Sequence, residues 1–483
     1  MKKKWSPQQK AVFENVANGT GHTVVLARAG SGKTTTIVEA FNHVPEGASV
    51  LMIAFNKSIA TELQSRAPAG VEVSTLHSFG LKAIMRQGPA RIDNDKMDRI
   101  LVDGLGDEPE TRDLRRSIAK CASLAKGSLA TTPEEIDAII DQHQIVPPES
   151  SEDRPQFARY VLRALEEAKA DRKTIDFDDM IWLPVVLKMQ VRKFDRVFID
   201  ETQDLNAAQI QLALRACKST GRICAVGDDR QAIYAFRGAD TNAVPNVIRE
   251  LKATILPLSV TYRCASAIVD IARTVVPDFE AAPNANAGEV LSSTVAAMIA
   301  SASGGDFVLS RTNAPLISHC MAFLREGKRA TIQGRDIGAK LTGMIRRSKA
   351  TTIVALLEYV NTWRQEEIAR LTAVKRDTQS VDDTAECVIA LTEGASSVSD
   401  VIARIESLFS EGDDTTRIVL SSTHKAKGLE RDRVWLLAST YRRGTKGRKS
   451  RPMSATQVRE EENLFYVAVT RARKTLHMVQ DAK

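Results

Sequence analysis

The sequence predicts an α/β protein with two parallel sheets, one in each half of the chain, and each sheet carries a mainly helical insertion. Short apolar runs alternate with helical patterns along the chain, which is typical of parallel α/β architecture. The runs fall into two clusters, and 483 residues are too many for a single hydrophobic core. Two long polar stretches with helical patterning interrupt the alternation, one within each cluster.

The apolar runs predict buried strands, because a strand covered on both faces has few polar side chains. Helical patterns lie between these runs, for example at residues 206–217 and 265–275. The predicted strands are residues 23–27, 50–54, 196–200 and 223–226 in the first half, and 307–310, 418–421 and 434–437 in the second.

The two interrupting stretches predict the domain organisation. Residues 80–175 are mainly helical and charged, and residues 340–415 are helical and polar. We expect both to be inserted subdomains. The predicted boundaries are 1–79 with 176–254 for the first core, 80–175 for the first insertion, 255–339 with 416–483 for the second core, and 340–415 for the short second insertion.

Composition restricts the class of protein. The net charge of +7 and the pI of about 9.0 favour an acidic partner such as nucleic acid, although many soluble proteins are equally basic. The six cysteines form no C-x-x-C pair, which argues against a zinc site or a disulfide framework. The lysines at positions 2–4 are followed by polar residues, and no apolar run reaches the length that a bilayer requires. We expect a cytoplasmic protein, associated with the nucleoid if it is bacterial or phage-encoded.

A phosphate-binding loop is predicted between the first strand and the helix that follows it. Residues 27–34 fit the pattern G-x-x-x-x-G-K-[ST], except that Ala27 replaces the first glycine. Backbone N–H groups of such a loop bind phosphates. We expect Lys33 to reach the β- and γ-phosphates of ATP, and the Thr34 hydroxyl to hold Mg²⁺. A chance glycine-rich loop is the alternative, and the flanking strand and helix argue against it.

Paired acids at the end of another strand complete the predicted ATPase site. Asp200 and Glu201 follow the apolar run that starts at Arg196. Asp200 is expected to complete the Mg²⁺ shell, and Glu201 to orient and deprotonate the attacking water. Hydrolysis also needs positive charge on the phosphates, for which Arg263 and Arg471 are candidates. From their positions alone, a surface salt bridge is the better interpretation of either arginine.

These segments, together with others in the same order along the chain, resemble the UvrD/Rep family of superfamily 1 helicases. Residues 200–204 fit that family's D-E-x-Q-D motif, for example. The resemblance runs from residue 5 to residue 473, leaves both insertions unmatched, and implies two RecA-like P-loop domains. The matching segments are residues 5–12, the phosphate loop, 54–57, 74–79, 175–180, 200–204, 227–239, 262–263, 310–314, 423–430 and 461–471.

The resemblance implies roles on the ATP side. Gln9 is expected to contact adenine, with the preceding residue Gln8 as the alternative. Tyr262 is expected to stack on adenine, and Glu430 is expected to contact the ribose. Lys33, Glu201, Gln231, Arg263 and Arg471 are the implied catalytic residues, with Gln231 sensing the γ-phosphate and both arginines binding it. Thr34 and Asp200 are the implied metal ligands. The implied nucleotide-binding residues are Gln9, Ala29, Gly30, Ser31, Gly32, Lys33, Thr34, Thr35, Tyr262 and Glu430.

The resemblance also implies a path for single-stranded DNA. Aromatic faces that stack on bases, together with cations on phosphates, hold single strands, so two aromatics and a cation just after Gln231 fit this role. Core packing is the alternative interpretation of Phe55 and Phe236. The implied DNA contacts are Phe55, Asn56, Thr75, His77, Tyr234, Phe236, Arg237, Arg311, Asn313, Thr423 and His424.

The sequence departs from the family pattern at several points. Ala27 replaces a glycine, Thr35 stands where an arginine usually helps to hold the nucleotide, and Phe236 stands where the stacking residue is commonly tryptophan. The second insertion is far shorter than in the large bacterial members, which puts efficient unwinding in doubt. A basic loop at residues 441–452 belongs to this chain alone, and either contacts phosphates or is simply solvated.

The sequence therefore predicts an ATP-dependent single-stranded DNA translocase and DNA helicase that uses ATP and Mg²⁺, with 3′-to-5′ polarity implied by the resemblance. The alternative is a nucleic-acid-stimulated ATPase that remodels protein–DNA or RNA complexes without processive unwinding. A metabolic P-loop kinase or simple NTPase is the rival from a different class. Expected partners are single-stranded DNA, single-strand/duplex junctions and replication or repair proteins, and the expected state is a monomer with no membrane partner.

Overall fold

The computed structural model describes residues 4–143, 145, 154–234, 238, 240, 242–373, 378–410, 415–441, 453 and 455–480. The chain forms two compact units, Met1–Ser259 and Val260–Lys483. Each unit contains its own parallel sheet and its own hydrophobic cores. No helix among the described residues is both long enough and apolar enough to cross a membrane.

The first unit is built on a six-stranded sheet with the order β3-β2-β6-β7-β1-β8, in which every pair of neighbours is parallel. Its inner strands are buried because helices cover both faces. A separate parallel pair, β4 with β5, joins the two ends of the first helical stretch. The strands are β1 (Thr23–Ala27), β2 (Val50–Ala54), β3 (Val71–Thr75), β4 (Arg91–Ile92), β5 (Thr174–Ile175), β6 (Phe194–Ile199), β7 (Cys217–Gly227) and β8 (Thr254–Leu258).

The helices of the first unit divide into those that cover the sheet and those of the inserted stretch. The insertion has its own core, centred on Ile118, Phe157 and Val161, all fully buried. The helices are α1 (Pro7–Asn18), α2 (Lys33–Ala40), α3 (Lys57–Arg66), α4 (Leu76–Met85), α5 (Lys96–Leu105), α6 (Arg112–Ser128), α7 (Pro133–Gln142), α8 (Arg154–Ala170), α9 (Asp179–Val186), α10 (Ala207–Arg215) and α11 (Ala243–Leu251). Helices α5 to α8 form the insertion.

The second unit contains a seven-stranded sheet with the order β11-β17-β16-β12-β15-β13-β14, again parallel throughout. A short parallel pair, β9 with β10, lies beside the start of the unit. The strands are β9 (Val260–Thr261), β10 (Glu280–Ala281), β11 (Glu289–Thr294), β12 (Phe307–Ser310), β13 (Ala330–Gln333), β14 (Phe409–Ser410), β15 (Ile418–Ser422), β16 (Arg431–Leu437) and β17 (Ala472–Gln480).

The second helical stretch packs directly on this sheet. Leu341, Leu356 and Val388 from the helices share one hydrophobic core with Val308 and Leu420 from the strands. The stretch is therefore an integral layer of the second unit. The helices are α12 (Ser266–Arg273), α13 (Val295–Ser301), α14 (Ala314–Arg325), α15 (Arg335–Ser348), α16 (Ile353–Ala373), α17 (Gln379–Thr392), α18 (Val398–Leu408), α19 (Thr423–Ala426) and α20 (Ala455–Val469).

The structure confirms the predicted fold class of two parallel α/β sheets with helical insertions, and each predicted strand is present. Their ends shift little except in β7, which begins at Cys217 instead of residue 223. The first unit extends to Ser259 instead of ending at residue 254, because β8 completes its sheet. The sequence did not predict β8, because Pro257 interrupts its apolar run and most of its residues are exposed at the edge of the sheet.

Candidate functional site

The carboxyl ends of the parallel strands gather the candidate nucleotide residues at one edge of the first sheet. β1 leads into the phosphate loop, β6 into Asp200, and β7 into Asp228, and these strands are neighbours. β2 and β3 continue the sheet beyond β6, and the candidate DNA contacts at 55–56 and 75–77 follow these two strands. Nucleotide and nucleic-acid candidates thus share one edge, where ligands of open α/β sheets bind.

The phosphate loop takes its shape from two glycines. Gly30 and Gly32 have φ angles of 70° and 82°, a left-handed conformation that is easily reached only without a side chain. Ser31 N donates to Arg28 O at 3.1 Å, and α2 begins at Lys33, so the unpaired N–H groups of its first turn face the loop. Ala27, which replaces the first motif glycine, is the buried last residue of β1 and pairs with Leu258.

Two acids surround the lysine of the loop. Lys33 Nζ lies 2.7 Å from Glu201 Oε1, and Asp200 Oδ1 accepts a bond from Glu201 N at 2.9 Å. Burial and the neighbouring Glu201 raise the pKa of Asp200 to about 7. Burial alone would lower the pKa of Lys33, but the Glu201 and Asp200 carboxylates outweigh it and raise that pKa. Glu201 itself has a left-handed φ of 48°, which is local strain of the kind found at functional sites.

The groups at this edge fit a magnesium–triphosphate ligand. Loop N–H groups and the Lys33 ammonium are donors for phosphate oxygens. The Ser31 hydroxyl is buried and has no hydrogen-bond partner within the described part of the chain, so a ligand oxygen could satisfy it. Thr34 and Asp200 supply the oxygen ligands that Mg²⁺ prefers. Thr35 is half-buried in the same turn of α2.

A chain of hydrogen bonds connects Glu201, the candidate catalytic residue, to Gln231, the candidate γ-phosphate sensor. Gln203 Nε2 donates to Glu201, and Gln203 Oε1 accepts from Asp228 N at 2.9 Å. Asp228 Oδ2 in turn accepts from Gln231 Nε2 at 2.8 Å. All these residues except Glu201 are buried, so the bonds are stronger than they would be in water. A change at the phosphates can therefore reach Gln231 through fixed contacts.

Arg28 is a member of this network that the sequence did not indicate. Its guanidinium Nη1 lies 2.9 Å from Asp228 Oδ1 and 2.7 Å from Asp229 Oδ1, and Arg28 is buried. Burial raises the pKa of Asp228 and the Arg28 charge opposes that rise. The arginine thus ties the phosphate loop to the segment that carries Gln231. Arg28 occupies a variable position of the loop motif, so only the folded structure reveals its partners.

The two glutamines of α1 are bonded differently. Gln9, the predicted adenine contact, is only 5% exposed; its Oε1 accepts from Ser6 N at 3.0 Å, and its Nε2 donates to Thr36 Oγ1 at 3.0 Å. Gln8 is half-buried and exchanges two bonds with Ser259, at 2.8 and 3.0 Å. Each amide therefore retains one N–H and one lone pair. Gln9 is buried and bonded to the cap of α1 and to α2, whereas Gln8 is the more exposed of the two.

The predicted DNA contacts of the first unit lie beyond β2 and β3. Phe55 is exposed, Asn56 Oδ1 caps α3 by accepting from Ile59 N, and Thr75 Oγ1 caps α4 by accepting from Ser78 N. These caps account for the local helix starts. The register pairs Ala54 with Thr75, so the two segments are adjacent.

An exposed aromatic side chain joins this group. Phe177 is 55% exposed and stacks on His77, with ring centroids 3.8 Å apart and planes inclined by 23°. Burial lowers the pKa of His77 to about 4, so its ring is neutral at pH 7. The pair presents an aromatic face and no charge. The predictions omitted Phe177 although its segment was matched, because only the structure shows it stacked on His77.

The DNA contacts predicted just after Gln231 are Tyr234, Phe236 and Arg237. Tyr234 is half-buried. Phe236, Arg237 and residues 442–452 of the basic loop lie outside the described residues.

The candidate nucleotide residues of the second unit form one cluster. Arg263 pairs with Glu430 and donates from Nη1 to Thr470 O at 3.5 Å. Arg471 is buried and donates to Val467 O, Leu429 O and Thr470 Oγ1 at 2.9 to 3.2 Å. Burial and the nearby Arg263 charge lower the pKa of Arg471 to about 10, so it remains charged at pH 7. Tyr262, 53% exposed, is the neighbour of Arg263.

The predicted DNA contacts of this unit are more embedded than expected. Asn313 N and Nδ2 both donate to Asp383 of α17, at 2.9 to 3.1 Å. Arg311 Nε donates to Glu461 Oε1 at 2.9 Å. Thr423 is fully buried, with its hydroxyl bonded to Ser310 O at 3.4 Å and to Tyr441. A buried, bonded hydroxyl supports the fold locally, so the half-buried His424 is the more accessible of the two predicted DNA contacts in that motif.

Comparison with known proteins identifies related families and sequences. Residues 5–252 match the model of the UvrD/REP helicase N-terminal domain, and residues 134–482 match the UvrD-like helicase C-terminal domain. The ATP-dependent DNA helicase PcrA of Bacillus subtilis is 29% identical over 299 residues, which cover 54% of this chain and 38% of that protein. F-box DNA helicase 1 of Gallus gallus is 24% identical over 494 residues, covering 94% and 47%, respectively. The ATP-dependent DNA helicase Rep of Escherichia coli is 26% identical over 304 residues, covering 56% and 43%.

The aligned regions span less than half the length of each of these relatives.

Proposed function

The chain belongs to the UvrD/REP helicase family, and from that premise we propose that it is an ATP-dependent single-stranded DNA translocase and DNA helicase with 3′-to-5′ polarity. The observation that carries the proposal is the shared sheet edge of the first unit. There, a phosphate loop with its lysine–glutamate pair follows β1, and the exposed aromatic pair His77–Phe177 lies at the same carboxyl edge beyond β3, the outermost strand. Such an edge can bind a triphosphate and stacked bases on one rigid support.

In this proposal, phosphate binding and water activation fall to residues of the first unit. Lys33 exchanges its Glu201 partner for the phosphates, which releases the Glu201 carboxylate to orient and deprotonate a water molecule. Asp200 and Thr34 would hold Mg²⁺, which would neutralise charge on the phosphates. Arg263 and Arg471 are proposed to bind the γ-phosphate, as the family resemblance implies. Each arginine must then exchange bonds that it makes within its own unit.

The bonds around Asp228 provide the coupling between nucleotide and DNA. Gln231 senses the γ-phosphate, and the segment after it carries Tyr234. Arg28 and Gln203 hold the start of that segment against the phosphate loop and Glu201. ATP binding and release therefore shift the residues that grip the strand, and alternating grips produce movement.

The direct test is ATP hydrolysis with and without single-stranded DNA, followed by displacement of strands from 3′-tailed and 5′-tailed duplexes. We expect DNA to stimulate hydrolysis, and the 3′-tailed duplex alone to be unwound. ATP turnover indifferent to DNA would instead support a metabolic NTPase. Preference for the 5′ tail would refute the proposed polarity.

A second candidate function is translocation that strips or remodels protein–DNA or RNA complexes without processive unwinding. One observation favours it: helices α15 to α18 are an integral layer of the second unit and share its core. A layer fixed in this way cannot rotate as an independent subdomain against duplex DNA. Removal of a protein block from single-stranded DNA, without displacement of an annealed strand, would distinguish this activity.

Removal of the Phe177 ring is expected to weaken single-stranded DNA binding about 5- to 150-fold, because a stacked base contributes about 1–3 kcal/mol. Fluorescence anisotropy with a labelled oligonucleotide, applied to Phe177→Ala, measures this loss. Phe177→Leu is the matched control, since it retains apolar bulk without an aromatic face and should also bind weakly. Affinity within about twofold of the parent protein for both variants would contradict a stacking role.

The two glutamines of α1 are expected to respond differently to alanine. Gln9→Ala removes one half of a capping box and the bond to Thr36, and should cost about 1–2 kcal/mol of stability while ATP remains preferred over GTP. Gln8→Ala removes both bonds to the buried Ser259 and should cost a similar amount of stability, but it should also reduce the preference for ATP. KM values for both nucleotides decide between the two residues, and thermal unfolding gives the stability cost of each variant. The reverse pattern would return the adenine contact to Gln9.

A further inference from the structure

The exposed side of α15 is strongly basic. Five cationic side chains, all exposed, lie along this helix or at its C-cap: Arg335, Lys340, Arg346, Arg347 and Lys349. No carboxylate pairs with any of them within the described part of the chain. The only acidic residue of the helix, Asp336, is already neutralised by Lys425 at 2.8 Å. Exposed cations on other helices of this unit, such as Arg273 and Arg370, have acidic partners.

The cations flank a line of small residues. Arg335 and Arg346 are about three turns apart on one side of the helix, and Lys340 and Arg347 are about two turns apart on the other. Ala339 and Gly343 occupy the line between these two rows, and Asp336, which pairs with Lys425, stands at its start. The helix is 14 residues long, so this track extends about 21 Å.

No neighbouring atom within the unit requires position 343 to be glycine. A Cβ atom at this position would meet only the Nη1 atom of Arg347, at 3.5 Å, which is an ordinary contact. Glycine inside a helix nevertheless reduces helix stability relative to alanine. By contrast, a Cβ at Gly338 on the same helix would press on Ile405 and Phe409 at 3.1 to 3.3 Å. An outside ligand that approaches the helix closely would explain the glycine at 343.

The track begins beside a proposed DNA-contact motif. α15 follows β13, and Gln333 at the end of β13 accepts a bond from Ser421 of β15 at 2.9 Å. β15 leads directly into the segment that carries His424 and Lys425. The Lys425–Asp336 ion pair joins that segment to the first turn of α15. The cations therefore continue outward from the carboxyl edge of the second sheet.

The side chains of the track indicate which kind of nucleic acid it would bind. Single-stranded nucleic acid is held by aromatic faces as well as cations, and α15 contains no aromatic residue. Phosphates of a duplex need only cations and close approach, because the bases are hidden. We propose that α15 is a binding surface for the phosphate backbone of duplex DNA, adjacent to the single-strand site.

This inference rests on the proposed function, and the salt dependence of DNA binding tests it. Arg346→Gln with Arg347→Gln removes one cation from each flank. On a 3′-tailed duplex, between about 50 and 200 mM salt, the slope of log K against log salt should fall in magnitude by about 1.8, or about 0.9 for each lost contact. On the single-stranded tail alone, the slope should be unchanged.

The matched control removes two cations from the opposite edge of the same sheet. Arg325 and Arg329 precede β13, far from its carboxyl end, and both are exposed. Arg325→Gln with Arg329→Gln should leave both slopes unchanged. A second variant, Gly343→Gln, keeps every charge and should weaken binding to the tailed duplex by blocking close approach. Its melting temperature should not fall, since the position is open.

Several outcomes would overturn the inference. An unchanged slope for the Arg346/Arg347 variant on the tailed duplex would show that α15 does not touch it. An equal fall on the tail alone would assign the track to the single strand. An equal fall in the Arg325/Arg329 control would indicate nonspecific attraction. If the parent protein binds neither DNA, the proposed function itself fails, which is a separate result.

Discussion

Replacement of Glu201 by glutamine is expected to lower ATP turnover about 10²- to 10⁴-fold, which is the usual contribution of a general base. The glutamine side chain has the same shape, and its oxygen can still accept from Lys33, which lies 2.7 Å from Glu201 Oε1. It cannot take a proton from water. Binding of ATP and of single-stranded DNA should therefore be preserved, so the loss should appear in kcat. Steady-state hydrolysis with saturating DNA measures it.

Lys33→Ala provides the comparison. This variant should also abolish hydrolysis while sparing DNA binding, but it should weaken ATP binding because the cation on the phosphates is lost. Glu201→Gln and Lys33→Ala are thus distinguished by the Kd for nucleotide. Turnover within about tenfold of the parent protein in Glu201→Gln would show that another group activates the water. Retained turnover in Lys33→Ala would mean that the nucleotide site lies elsewhere.

The nucleotide half of the site could be predicted from the sequence because its residues are fixed by local geometry. Gly30, Gly32 and Lys33 form one loop, and Asp200 and Glu201 end one strand, so spacing alone places them. The carboxyl edge of a parallel sheet then brings the two segments together. Strands β1, β2 and β12 could be predicted for the same reason, since their apolar runs are continuous.

Contacts between distant segments could not be predicted in this way. Arg28 meets Asp228 about two hundred residues later in the chain, and nothing at position 28 indicates a buried pair. Edge strands were missed for a related reason. β11 is mostly exposed, so it lacks the apolar pattern by which the buried strands were found. Asn313 and Thr423 were matched by motif, but their partners Asp383 and Tyr441 come from elements that spacing does not specify.

Asp179→Ala is expected to destabilise the first unit by about 3–5 kcal/mol, because it leaves buried charges without their partner. Asp179 Oδ2 lies 2.6 Å from Lys96 Nζ and Asp179 Oδ1 lies 2.8 Å from Lys126 Nζ, and these three side chains are at most 1% exposed. Asp176 Oδ2 lies 2.6 Å from Lys126 Nζ. Helices α5 and α6 of the insertion are thereby tied to the start of α9. Denaturant unfolding followed by fluorescence measures the cost.

A variant that removes the whole network separates charge from packing. With Lys96→Met, Lys126→Met, Asp176→Asn and Asp179→Leu together, no buried charge remains, and most of the stability should return. A cost below about 1 kcal/mol for Asp179→Ala would show that water reaches the lysines and that the network contributes little.

The same network positions the proposed base-stacking residue. Phe177 lies between Asp176 and Asp179, and the Asp179 carboxylate spans it, because Asp179 Oδ2 accepts from Asp176 N at 3.3 Å. These bonds hold the backbone at Phe177 so that its ring meets His77 while remaining exposed. Asp179→Ala should therefore weaken single-stranded DNA binding even at temperatures where the protein is folded. The apolar variant should regain stability without regaining that affinity, because methionine and leucine do not fix the Phe177 backbone. Recovery of both together would mean that packing alone places the ring.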